Sequence, residues 1–103
     1  MSGNGKVVGR VSSLNVGGPG LPDPLHCSQA AAEALTMAAG AGLRLSSFSL
    51  DLAGHAVGED DVTIRTRIEK RTRSIVFASV EARAGEAFVF SAQGLFSPAG
   101  ADK

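Results

Sequence analysis

The chain has 103 residues, of which 44% are hydrophobic and 19% charged, a globular composition with apolar surface for one core and too little for two, so residues 1–103 read as a single domain. Ten Lys and Arg offset ten Asp and Glu; no net field draws the molecule to nucleic acid or to an anionic membrane, and neither is expected as a partner. One cysteine, Cys27, excludes an internal disulfide and a multi-cysteine zinc site, no metal is expected, and the lack of a signal-like or bilayer-length apolar run points to a cytoplasmic address.

The stretch from Lys6 to Asn15, "KVVGRVSSLN", carries β-branched residues that predict a first strand, weakened at Gly9. The Gly and Pro density of "VGGPGLPDP" then marks an irregular loop. Asp23 before Pro24 suits a helix start, because the carboxylate can accept from free backbone N–H groups and Pro tolerates the first helical position; Ser28 is an alternative cap. The alanines that follow favour helix, Gly40 and Gly42 stop it, and the expected span is about 26 to 39. At about 100° per residue His26, Ala30, Glu33 and Met37 share one helix face, and Ala31, Leu35 and Ala38 the opposite one. Leu35 is therefore expected to point into the core. Glu33 is expected to point away from it, toward solvent in a monomer or toward a second subunit.

After Gly42 the period changes to two. In "LRLSSFSLDLAG" Phe48, Leu50 and Leu52 oppose Ser47, Ser49 and Asp51; in "DVTIRTRIEKRTR" Val62, Ile64 and Ile68 oppose Thr63, Arg65, Arg67 and Glu69. "SIVFASVEARAG" sets Val76, Ala78, Val80 and Ala82 against a mixed row, and "EAFVFSAQGLF" sets Phe88, Phe90, Ala92 and Phe96 against Val89, Ser91, Gln93 and Leu95. These four strands follow one another through short connections, which require antiparallel neighbours. The expected class is α+β, two layers, one apolar helix over one five-stranded antiparallel sheet. So small a core also predicts a partner subunit.

This order, with the Ala-rich helix and the ending "IEKRTRSIVFASVEARAGEAFVFSAQGLFSP", resembles the hotdog-fold acyl-CoA thioesterase superfamily, in particular the phenylacetate-degradation type. "SLDLAGHAVGED", "RTRSIVFASVEA" and "AFVFSAQGLF" look like that family's second-strand exit, third-to-fourth strand hairpin and closing strand. The resemblance implies a hotdog fold, a homodimer or tetramer with sites between subunits, and hydrolysis of an acyl thioester. Coenzyme A or phosphopantetheine enters as part of that substrate, and no separate cofactor is implied. The family often has His-Gly-Gly at the helix entrance and an acid on the helix. Here the entrance reads His26-Cys27-Ser28; counting forward from the histidine lands on or beside Leu35, whereas counting back from Asp51 brings Glu33 near the place.

Glu33, the carboxylate within the helix, is thus the candidate base or nucleophile, with a solvated surface glutamate as the alternative. His26 is a candidate to orient substrate or to serve as a structural histidine. Free N–H groups at Cys27 and Ser28 are candidate oxyanion donors. A nucleophilic Cys27 is disfavoured, since neighbours on a helix point about 100° apart and do not meet. Lys70, Arg71 and Arg73 belong to a basic run that suits either a solvated hairpin or a clamp for coenzyme A phosphates. Phe77 alone lies near that run. His55, in a Gly-flanked turn, is expected at the surface. Two other functions stay open: a non-catalytic hotdog module that binds acyl thioesters or scaffolds an assembly, and an enoyl-thioester hydratase, suggested by "DPLH", whose acid would fall at Leu21.

Overall fold

The computed structural model describes residues 7–58 and 61–98. Lys6, the expected first residue of the first strand, lies outside them. Strand β1 (Val7–Val11) leads through a 3-10 turn (Ser13–Val16) to helix α1 (Pro24–Ala39), then to β2 (Leu43–Leu52), β3 (Val62–Arg71), β4 (Val76–Ala84) and β5 (Ala87–Pro98). The strands form one sheet in the order β1-β3-β4-β5-β2, and every neighbouring pair is antiparallel. The helix crosses one face and touches β2, β3, β4 and β5. The expected two-layer α+β architecture is the one observed.

Its core follows the two-residue period. Val62, Ile64, Thr66 and Ile68 of β3, Val76, Ala78, Val80 and Ala82 of β4, and Phe90, Ala92 and Phe96 of β5 are buried beneath α1. Residues of opposite parity on β3, such as Arg65, Arg67 and Glu69, are exposed on the outer face. Gly94 makes room for the helix: a Cβ there would stand 3.1 Å from Leu35 Cδ1. A larger residue there would lift the helix.

Two expectations shift by a residue. A bulge between Ala82 and Arg83 pairs Ala82 with Phe90 and Arg83 with Phe88, which removes Phe88 from the expected inner row and buries Val89 instead. On the helix, the buried stripe is Cys27, Ala31, Leu35 and Ala39. Ala38, expected opposite Glu33, is half-buried on the side wall of a groove described below. An i, i+4 stripe drifts around the axis, and Ala39 ends up under it.

The first strand is shorter than the sequence suggested, because Ser12 onward turns into the 3-10 segment. Its end is folded tightly. Gly17 has φ 95°, and a side chain there would strike Asp23 Cβ and lie 2.9 Å from Asp23 N. That close return lets Asp23 N–H donate to the Val16 carbonyl at 2.9 Å. The helix starts at Pro24, two residues before the expected position, with Asp23 as its cap. It stops at Gly40, whose φ of 105° suits glycine.

Strand β2 is different from the others. Its inward residues Leu43, Leu45, Phe48, Leu50 and Leu52 pack against the core but are only partly buried. The strand lies at one end of the sheet order, with β5 as its paired neighbour. Its outer edge therefore presents backbone groups beside uncovered apolar surface.

Candidate functional site

Asp23 does two things at the start of α1. Its Oδ2 accepts the backbone N–H of His26 at 2.9 Å and also meets His26 Nδ1 at 2.7 Å. These contacts, the backbone one foremost, hold the Asp23 carboxyl below its ordinary range. With Nδ1–H given to a carboxylate, Nε2 is the ring nitrogen left to face a ligand. Asp23 was expected only as a cap; its part as the partner of His26 was legible in the i, i+3 spacing.

His26 lines a cavity of about 550 Å³ between α1, β1 and β3. Ala30, Glu33, Ala34, Met37 and Ala38 continue that wall along the helix, and Val11, Ile64 and Thr66 contribute from the sheet. From His26 to Ala38 the wall runs about 18 Å at 1.5 Å per residue. The volume falls in the range of small-molecule sites, roughly 300–1,000 Å³. The four residues expected on one helix face, His26, Ala30, Glu33 and Met37, all line it. Arg10, Asn15 and Gln29 add polar groups, none of which the sequence reading had singled out. Arg10 and Asn15 come from β1 and the 3-10 turn, and only the fold brings them beside the helix.

Glu33 is exposed, and its Oε2 accepts from Gln29 Nε2 at 3.4 Å. It faces a groove built within its own chain, next to β1. Glu33 and His26 are seven residues, about 10 Å, apart along the axis, so they do not pair directly. A ligand lying in the groove can meet both.

The expected oxyanion donors are not free. Cys27 N–H donates to the Asp23 carbonyl at 2.8 Å, the first bond of the helix, and Ser28 sits one residue further inside it, where the N–H bonds four residues back. The expectation failed because the helix begins two residues early. Cys27 is wholly buried, with Sγ donating to the Val16 carbonyl at 3.6 Å. Burial first, then the Asp23 charge, push its thiol up to about 11. A protonated, enclosed thiol is no nucleophile.

The basic run lies elsewhere. Arg71 Nη2 donates to the Ala39 carbonyl at 3.2 Å, closing the C-terminal end of α1, where a cation suits the helix dipole. Lys70 and Arg73 are exposed, and none of the three lines the cavity. His55 is exposed, as expected, and Phe77 is half-buried on the outer sheet face. Leu21, where a hydratase acid would fall, is an exposed leucine and has no proton to exchange. Among the described residues no group of His, Cys, Asp and Glu is placed to hold a metal ion, and no helix is long and apolar enough to cross a membrane.

No protein-family model and no curated protein matches the sequence. Solved structures do match the fold. A homologue of HP0420 from Helicobacter felis superposes with a TM-score of 0.77 at 16% identity, covering 96% of this chain and 74% of that one. Zebra fish thioesterase superfamily member 2 gives 0.75 at 19% identity, covering 95% and 78%. A hypothetical thioesterase of Streptococcus pneumoniae, solved with coenzyme A, gives 0.74 at 17%, covering 93% and 80%. The chain is an α+β hotdog domain, and its fold is that of thioesterase-superfamily proteins.

Proposed function

We propose that this domain hydrolyses an acyl thioester in the groove between α1 and the β1 side of the sheet. The observation that carries the proposal is the placing of His26, tied to Asp23, and Glu33 on one wall of a cavity floored by Val11, Ile64 and Thr66. The acyl group lies on that floor and the thioester lies between the two polar side chains. Glu33 takes a proton from water as its oxygen attacks the carbonyl carbon. With the first-turn N–H groups engaged, the His26 ring supplies the missing donor: in its charged form Nε2–H faces the carbonyl oxygen while Asp23 holds Nδ1–H. Collapse of the intermediate breaks the C–S bond and releases the carrier as a thiolate, which takes up the proton that Glu33 removed from water and leaves Glu33 ionised again.

The carrier is a coenzyme A or phosphopantetheine thiol, and Lys70, Arg71 and Arg73 are assigned to its phosphates. Structural neighbours solved with coenzyme A or acetyl-CoA support that choice. A homodimer formed through β2 accounts for the partly buried Leu45, Phe48 and Leu50 on an unpaired edge. It works in a reducing, cytoplasmic setting.

Thiol release from a panel of acyl-CoA esters tests the reading. Wild type should turn over at least one ester, and Glu33→Gln, which keeps the shape but cannot take a proton, should lose at least about 100-fold. Equal turnover by the variant removes Glu33 from the mechanism. The engagement of the Cys27 N–H favours one second reading, a hotdog module that binds acyl thioesters without cleaving them. Calorimetric binding with no thiol release by wild type would select it.

A further inference from the structure

The inner row of β3 is Val62, Ile64, Thr66, Ile68, three apolar residues and one hydroxyl. Thr66 is 2% exposed and is the buried polar residue among the described ones. Its side chain makes no hydrogen bond to a described residue, yet no side-chain oxygen is sealed away without a partner. Both hold because Thr66 lines the cavity, beside Ile64 and below the helix wall. Open only to the groove, that hydroxyl loses its access to water when a plain hydrocarbon covers it, a cost that valine, of nearly the same shape, would not bear. Something seated in the groove can supply the bond.

The polar groups of the rim cannot be what it serves. His26, Glu33, Arg10, Asn15 and Gln29 are all exposed and suit the thioester end of a ligand. Thr66 lies at the buried floor, where the acyl group rests. We infer that the groove selects acyl groups bearing an oxygen substituent, a hydroxyl or a carbonyl beyond the thioester, which hydrogen-bonds to the Thr66 hydroxyl. The inference rests on the acyl-thioester reading and narrows its substrate class. Thr66 determines specificity and takes no part in bond cleavage. Plain hydrocarbon chains fit the same floor but leave the hydroxyl unpaired, so the site discriminates against them.

The test compares octanoyl-CoA with a series of octanoyl-CoA esters hydroxylated at single carbons, each as its non-hydrolysable thioether analogue, by calorimetry with wild type and with Thr66→Val. At least one hydroxylated ester should bind wild type about fivefold or more tighter than octanoyl-CoA, and Thr66→Val should erase that preference without weakening octanoyl-CoA. Without ligand, Thr66→Val should melt no lower than wild type, whereas loss of a structural hydrogen bond would lower it. Wild type that binds all esters alike overturns the role of Thr66 and leaves acyl-thioester binding standing. A preference that survives in Thr66→Val overturns it too. Wild type that binds no ester overturns both the inference and the reading beneath it.

Discussion

Leu35 of the helix packs directly over Gly94 of the sheet, and a double-mutant cycle across them measures how that contact sets the position of α1. Leu35 is completely buried; shortening it to Ala leaves a cavity and should cost about 2–5 kcal/mol, as large-to-small core changes do. Gly94→Ala adds a methyl 2.8 Å from Leu45 Cδ1 and 3.1 Å from Leu35 Cδ1. Leu45 is half-buried on an edge strand and can turn aside, but Leu35 cannot, so the cost should be about 1–3 kcal/mol. In Leu35→Ala with Gly94→Ala the obstructing Cδ1 is gone and the new methyl fills part of the hole. The double variant should therefore be more stable than the sum of the singles by roughly 0.5–3 kcal/mol. Urea unfolding at one protein concentration, with equal slopes, gives the three values. Additivity within about 0.5 kcal/mol would show that the two residues do not share one space and would refute this account of the helix seat.

Asp23→Asn should keep the helix cap, since Asn caps as well as Asp, and leave the melting temperature near wild type; turnover should fall, because His26 loses its charged partner. Gly17→Ala forces a side chain into a left-handed turn against Asp23; it should cost more than about 1 kcal/mol in unfolding and lower activity with it. Cys27 should resist alkylation in the native protein at pH 8. With its thiol raised from 9.0 to about 11, its contribution to stability is complete below pH 9 and is lost as pH rises toward 11, so urea unfolding should show stability falling across that window, and falling less in Cys27→Ala. Asp23, held below 3.8, has the opposite sign: its contribution is present above pH 3.8 and is lost as pH falls through its lowered value, a step that acid titration of wild type against Asp23→Asn resolves.

The parts of this fold legible in the sequence are those governed by local period. Alternation gave β2, β3 and β4 their faces, and the 100° helical step put His26, Glu33 and Met37 on one wall. Terms from distant residues were not legible. Phe88 left the inner row because a bulge opposite Arg83 shifts the register, and nothing in "EAFVFSAQ" marks it. The Asp23 cap and the Pro24 start were legible in "PDPLH", although the expected span began at about 26; the Val16 carbonyl that binds Asp23 N–H is a contact across the loop that local signals do not carry. That same early start engaged the Cys27 N–H. Arg10, Asn15 and Thr66 belong to separate elements that meet only when β1 pairs with β3. Thr66 could have been suspected, since it is the polar exception in a row otherwise Val, Ile and Ile.

The place of the helix carboxylate decides where chemistry can occur. Leu35 and Glu33 differ by two positions, about 200° around the axis, so an acid at 35 would lie on Gly94 and the sheet, whereas one at 33 faces the groove beside β1. The packing leaves no choice at 35: the residue is wholly buried, and an unpaired carboxylate there would have no partner to offset its desolvation. A chain with leucine at that position keeps its helix seated and must carry any acid on another face. Position 33 has room, a hydrogen-bond donor in Gln29, and a wall shared with His26.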